Sequence, residues 1–338
     1  MRRRSVAVRV VIAALTAVPV LAGCAHAAPD PAASPHGGGS RHASVPGRAG
    51  PILAAVRAGL SHPANGPAYY LALGDSLSHG IQPGPAGRDV ETTRGYPDRL
   101  AARLRSGLPH LRLVKLGCPG ETTSTMIHGG ICQYPAGSQL GQAARFLHSH
   151  QGSTALVTID IGANDPNSCV MSGTLSAVLP CVASRLPRIG RNLSRILATL
   201  RSAAGRRVLF VGMTYYVPEL ALWRTGRTGR QIAILTGAVA AGANQMLAAG
   251  YHRYGARVAN VFAAFHSPDF GAKGGHARSG TRGRAGGQAG SAPPNVSVIC
   301  SLTWMCARPP RGPDEHPNDA GYRVIARAFW RAITASPR

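Results

Sequence analysis

Between Ala68 and Ile333 the chain alternates short apolar runs with longer amphipathic stretches, and that rhythm leaves few folds open. Ala68–Leu73, Leu111–Leu116, Ala155–Ile161, Val208–Val211 and Arg257–Phe262 have strand length and apolar character. Tyr96–Leu108, Ser138–His148, Leu186–Ala204, Thr228–Tyr254 and Asn318–Ile333 have helical periodicity. The run ALVTIDI at Ala155–Ile161 is almost unbroken, as a strand covered on both faces requires. Strands separated by helices imply right-handed crossovers and one parallel sheet with helices on both faces. The expected fold is therefore an α/β three-layer sandwich with a five-stranded parallel sheet. In such sheets, functional residues gather on the loops that leave the carboxyl ends of the strands. The helix at Thr228–Tyr254 carries Arg230, Gln231, Asn244 and Gln245, which favours a packed core helix over a membrane span.

The rest of the chain does not share this rhythm. Arg2, Arg3 and Arg4 precede a nearly apolar run, Val6 to Leu21, interrupted by Arg9 and Thr16. Leu21-Ala22-Gly23-Cys24 follows, and this ending resembles the lipobox of bacterial lipoproteins. The resemblance implies a signal peptide at 1–23 and acylation of Cys24, hence export and a lipid anchor in the membrane. Residues 24–67 are dominated by Ala, Pro, Gly, Ser and His and read as a flexible tether. A Gly-, Arg- and Ser-rich stretch at 271–294 reads as a disordered insertion. One domain, 68–334, remains.

The net charge of +24 raises the question of a nucleic-acid partner. The arginines are scattered, aromatic residues make up only 5% of the chain, and no helix shows a basic face with interleaved aromatics. No nucleic-acid partner is expected. The sequence has no C-x-x-C or H-E-x-x-H, so no metal is expected, and no organic cofactor either. Apart from Cys24 there are six cysteines: Cys118, Cys132, Cys169, Cys181, Cys300 and Cys306. An even number in an exported chain favours disulfides. Many connectivities are open; the three pairs adjacent in sequence are the simplest.

Three of the strand-like runs end in polar, glycine-bearing segments. The first ends in Gly74-Asp75-Ser76-Leu77-Ser78, with a helix to follow. A serine there sits at a helix N-terminus, where free amides favour developing negative charge. The second ends in Gly117-Cys118-Pro119-Gly120-Glu121-Thr122-Thr123, the third in Gly162-Ala163-Asn164-Asp165. Near the C-terminus stands Pro313-Asp314-Glu315-His316-Pro317-Asn318, ahead of the last helix. Four such segments in this order resemble the blocks of the SGNH (GDSL) hydrolases, over about residues 68–334.

That resemblance implies a flavodoxin-like SGNH hydrolase fold and a serine esterase. Ser76 would be the nucleophile and His316 its general base. The oxyanion donors would be the amides of Ser76 and Gly120 and the side chain of Asn164. A serine hydroxyl needs such a base to take its proton, and the tetrahedral intermediate needs such donors. One departure stands out. The family's acid lies three residues before the histidine, where this chain has Pro313; Asp314, two before, is the candidate to orient His316, with a backbone carbonyl as the alternative. No G-x-S-x-G elbow surrounds Ser76, so this is not the α/β-hydrolase arrangement.

The cysteine spacing resembles a secreted actinobacterial esterase/lipase branch of the family with three bridges. The pairs Cys118–Cys132, Cys169–Cys181 and Cys300–Cys306 would then hold the loops at Gly120, Asn164 and His316. The expected substrate is an acyl ester, a lipid by preference, with Ile127, Ile131, Val170, Met171 and Leu175 compatible with an acyl site or with packing. Deacetylation of cell-envelope polysaccharide and O-acyl transfer are the alternatives; a non-catalytic binding protein on the same scaffold is a remote one. The chain is expected to act as a monomer.

Overall fold

The computed structural model describes residues 56–58, 60, 66–170, 175–271 and 292–335. The expected signal peptide, Cys24, most of the tether and residues 272–291 of the expected insertion lie outside these. Within the segment read as tether, Val56 is fully buried and the Arg57 guanidinium donates to the Gly107 carbonyl at 2.9 Å.

The main sheet contains β1 (Ala68–Gly74), β4 (Leu111–Lys115), β5 (Thr154–Asp160), β6 (Leu209–Met213) and β7 (Arg257–Ala259), in the order β4-β1-β5-β6-β7. Every pairing is parallel. A short antiparallel ribbon, β2 (Gln82–Pro83) with β3 (Asp89–Val90), stands apart from it. The helices are α1 (Ser76–His79), α2 (Tyr96–Leu104), α3 (Thr123–His128), α4 (Gln139–Ser149), α5 (Asn167–Val170), α6 (Leu175–Ala204), α7 (Arg227–Arg253), α8 (Val261–Ala264), α9 (Pro294–Leu302) and α10 (Asp319–Thr334). A 3₁₀ segment, Pro218–Thr225, precedes α7.

The expected three-layer α/β architecture with five parallel strands is therefore the observed one. All seven residues of β5 are buried, which explains its apolar run: it is central, with β1 and β6 on its two sides. The edge strands β4 and β7 are shorter and half-buried. On one face α2 packs against α10, with Tyr96 and Phe329 stacked at 4.4 Å. The other face is covered by α4, α6 and α7, packed in that order. In α10 the residues Tyr322, Ile325, Phe329 and Ile333 recur at helical spacing and are all buried. Asn318 starts that helix by accepting the amides of Ala320 and Gly321.

Several boundaries differ from expectation. The helix expected over Tyr96–Leu108 stops at Leu104, where a turn carries the chain into β4. The helix expected from Leu186 begins at Leu175 and runs through Pro180 and Pro187. Pro180 and Pro187 are both exposed, and among its described residues the buried face of the helix starts at Ile189. The strand expected to reach Phe262 ends at Ala259, because Asn260 caps α8 by accepting the Ala263 amide. The residues of α9 and of the β2–β3 ribbon carried no strong periodicity.

α7 is the one described helix long and apolar enough to cross a membrane. Its Ala233, Gly237, Asn244, Leu247 and Tyr251 are buried, and it packs on α6 and the 3₁₀ segment. Asn244 bonds the backbone of Tyr215 twice, accepting its amide at 2.7 Å and donating to its carbonyl at 2.8 Å. Two hydrogen bonds from a buried amide tie this helix to the loop after β6, although only 22% of its apolar window is buried.

Candidate active site

The strand order explains how separated blocks come together. β4 and β5 flank β1, so the loops after these three strands leave the sheet side by side, at strand spacings of about 4.8 Å. Ser76 follows β1, Gly120 follows β4 and Asn164 follows β5.

The turn that presents Ser76 is tightly held. Gly74 has φ +130°, and a Cβ there would lie 1.9 Å from the Asp160 carbonyl, so β1 and β5 can meet at this level only through glycine. Asp75 caps α1 by accepting the Leu77 amide at 3.0 Å. Its other carboxylate oxygen accepts the Tyr215 hydroxyl at 2.8 Å, while its own amide donates to the Asp160 carbonyl at 3.1 Å. Ser76 is then the first residue of the helix. Gln139 bridges this turn to the next loop: it bonds both backbone groups of Gly74 and donates to the Glu121 carboxyl at 2.9 Å.

His316 arrives from the far end of the chain, with Nε2 3.0 Å from Ser76 Oγ and Nδ1 3.0 Å from Asp314 Oδ1. In the neutral ring Nδ1–H donates to Asp314, leaving Nε2 to accept the serine hydroxyl. The two-residue spacing works because Asp314 Oδ1 also accepts the His316 backbone amide at 2.9 Å, so the carboxylate folds back over its own turn. The partner of Nδ1 is the Asp314 carboxylate and not a backbone carbonyl. Burial alone would lower the His316 pKa. The hydrogen bond and charge of Asp314, with Glu315 and Asp89 behind it, outweigh burial and raise it to about 9. Burial likewise pushes the Asp314 carboxyl up, but His316 holds it below the usual value.

The residues expected as oxyanion donors lie on the loops after β4 and β5, which flank the strand that ends at Ser76. Gly120 has φ +81° and is exposed, with nothing within 4 Å of where its Cβ would be. Asn164 donates one side-chain N–H to the Glu121 carbonyl at 3.0 Å, which fixes the amide plane and leaves its second N–H free to point elsewhere. Asp165 ties the same two loops together by accepting the Thr123 amide at 2.8 Å and the Thr123 hydroxyl.

The cysteine pairs are those adjacent in sequence. Cys118–Cys132, Cys169–Cys181 and Cys300–Cys306 have Cα separations of 6.0, 5.7 and 5.0 Å. Cys118 stands two residues before Gly120, and Cys169 lies in α5, just after Asn164. The Cys300–Cys306 segment holds the histidine loop: the Trp304 amide donates to the His316 carbonyl at 3.1 Å, and Thr303 bridges Pro317.

The structure also brings in residues that the motifs did not point to. Asp89 Oδ1, from β3, lies 4.0 Å from His316 Nδ1. Asp160, fully buried in β5, faces Asp75; Tyr96 donates to its carboxylate. Asp160 did leave a sequence signal, a carboxylate inside an apolar strand, whereas Asp89 sits on a two-residue strand that leaves none. Asp89, Asp314 and His316 could each offer a ligand atom to a metal within 4.8 Å of one another. Both ring nitrogens of His316 already have partners, in Asp314 and Ser76, so the geometry fits a histidine–carboxylate pair better than a metal site.

The sequence model of the GDSL-like Lipase/Acylhydrolase family matches residues 72–324. No curated protein matches significantly. Among solved structures, an extracellular lipase from Streptomyces rimosus superposes with TM-score 0.43 at 22% identity, over 59% of this chain and 82% of that one. A lipase from a goat rumen metagenome gives 0.48 at 16%, over 78% and 97%. An acetyl xylan esterase from Geobacillus stearothermophilus gives 0.40 at 17%, over 79% and 94%. The family assignment rests on the sequence match and not on these superpositions.

Proposed function

Because the chain belongs to the GDSL-like lipase/acylhydrolase family, we propose that it cleaves carboxylic esters through an acyl-Ser76 intermediate. The observation that carries this reading is the unbroken chain Ser76–His316–Asp314, with 3.0 Å at each link. Ser76 Oγ attacks the ester carbonyl carbon as His316 Nε2 takes its proton. Asp314 stabilises the imidazolium and keeps the ring in the tautomer that accepts at Nε2. The carbonyl oxygen becomes an oxyanion, met by the amides of Ser76 and Gly120 and the free N–H of Asn164. The imidazolium then protonates the departing alcohol. Water, deprotonated by the same histidine, releases the acid.

The substrate class proposed is the acyl lipid ester, on the strength of the family's lipase and acylhydrolase character. The apolar loop residues add little to it. Met126 and Ile127 are buried in packing and Ile131 is half-buried. The side chains of Val170, Met171 and Leu175 lie outside the described set. The three disulfides point to export into an oxidising compartment. Anchoring through acylated Cys24 at the outer face of a membrane is the setting we propose. The test is turnover of p-nitrophenyl esters from acetyl to dodecanoyl by the purified protein beside Ser76→Ala. Rates that rise with chain length and vanish in Ser76→Ala support a lipid esterase. Activity on acetyl esters alone would overturn the lipid reading, and turnover surviving in Ser76→Ala would overturn the nucleophile.

A further inference from the structure

The family pattern puts an acid three residues before the histidine, and here that position is Pro313. The histidine is nevertheless faced by two carboxylates. Asp314 bonds Nδ1 directly, and Asp89 Oδ1 stands 4.0 Å from the same nitrogen, its side chain one-third exposed. We propose that Asp89 is a second positioning acid for His316, forming with Asp314 a two-carboxylate cradle on the Nδ1 side of the ring. The proposal rests on the reading of His316 as the general base.

Three features argue that Asp89 is placed there and has not simply drifted in. The ribbon that bears it closes through Gly84 and Gly87: the Gly84 amide donates to the Arg88 carbonyl at 2.8 Å and the Gly87 amide to Gly84 at 2.9 Å. Its other strand is pinned by Gln82, which accepts Trp304 Nε1–H at 3.2 Å and donates to Asp319 at 2.9 Å. Trp304 is the residue whose amide holds the His316 carbonyl, so one indole ties the ribbon to the histidine loop. Gly87 also abuts Pro310, whose carbonyl would lie 1.9 Å from a Cβ at that position.

The charges are consistent with a cradle. The ionisable groups facing His316 are Asp314 and Glu315 from its own loop, Asp89 from β3 and Asp75 from the turn before α1. All are acids. Partial burial raises the Asp89 carboxyl, His316 draws it back down, and Asp314 and Glu315 push it up again. Asp89 and Asp314 also bond each other, which raises Asp89 and lowers Asp314, and both raise His316, so the ring faces a coupled pair of carboxyls. A cation formed at His316 during attack is therefore stabilised from two directions, and Asp89 remains as a partner if Asp314 is lost.

The test combines NMR titration of the His316 ring with the pH profile of kcat/KM on p-nitrophenyl butyrate. It compares the wild type, Asp89→Asn, Asp314→Asn and the double variant, with thermal melts as the folding control. Asp89 is partly exposed on a short ribbon, so Asp89→Asn should fold normally. Removing its charge should lower the His316 pKa, and with it the acid limb of kcat/KM, by roughly half a unit to one unit. The plateau should fall by less than about tenfold, since one pKa unit corresponds to about a factor of ten. In the Asp314→Asn background the same substitution should cost about tenfold more than in the wild type. An unchanged ring titration in Asp89→Asn, or strictly additive losses in the double variant, would overturn the proposal. If Ser76→Ala kept its activity, the catalytic reading would fall instead, and the ring titration would still report on the cradle.

Discussion

In the proposed mechanism Asn164 has two tasks, and its two N–H groups divide them. One N–H is committed to the Glu121 carbonyl at 3.0 Å, so the amide is already oriented before any substrate arrives. Preorganised donors of this kind stabilise charge that appears only in the transition state. Asn164→Ala is therefore expected to lower kcat by about 10²–10³ and to leave KM nearly unchanged. Steady-state kinetics on a short-chain ester check this; a loss confined to KM would show that Asn164 binds substrate and does not meet the oxyanion. The other donors are backbone amides and cannot be deleted in this way, which makes Asn164 the informative position. Its partner Glu121 is itself buried, and burial raises its carboxyl pKa.

At the level of elements, the β1–β5 pair carries an acid pair behind Ser76. Asp75 and Asp160 are both buried, and burial raises each carboxyl; Asp75 raises Asp160 further, while the hydrogen bond from Asp160 draws Asp75 back down. Burial, then the nearby Asp75 charge, raises the Asp160 carboxyl well above its usual value. The unfolded chain ionises this group near pH 3.8, while the fold shifts its ionisation to higher pH. The folded state then binds more protons, and stability falls as pH rises from that value towards the folded pKa. Asp160→Asn removes the titration. Its melting temperature should decline less than that of the wild type between pH 4 and 8, as thermal melts in a pH series would reveal. Parallel slopes for the two proteins would mean that Asp160 is ionised in the fold.

For the whole molecule, the disulfides act more on loops than on the core. Each closes a short segment, with sequence separations of 14, 12 and 6. Loops this short contribute about 2–3 kcal/mol at most in the chain-entropy account. The sheet core, with β5 buried along its whole length, does not depend on them. Reduction is therefore expected to lower the melting temperature modestly and ester turnover strongly, while far-UV circular dichroism stays native. A thiol assay on the unreduced protein should find none of the six cysteines free. Collapse of the circular dichroism at the same reductant concentration would show that the bonds hold the core itself.

The sequence by itself determined the parts that repeat locally. Strand-length runs and helical stripes predicted the layers, because the periods of 2 and 3.6 residues are properties of the backbone alone. The positions of Ser76, Gly120 and Asn164 after strand-length runs were legible from the same pattern, their expected roles came from the resemblance to the SGNH hydrolases, and parallel order sets those strand ends side by side. The cysteine pairs were legible for a similar reason, since short loops hold their partners near. What the tertiary structure decided lies between distant segments. That Asp314 reaches His316 across a two-residue turn depends on the loop's hydrogen bonds to Trp304, which no local pattern reports. That Asp89 stands beside the same ring depends on Gln82, Trp304 and Asp319 meeting from three elements. α6 reaches back past Pro187 and Pro180 to Leu175, a start that the apolar pattern, whose buried face begins at Ile189, does not mark. Contacts of the kind made at His316 form only when the chain closes on itself, so their energies are set by the assembled fold and not by any window of sequence.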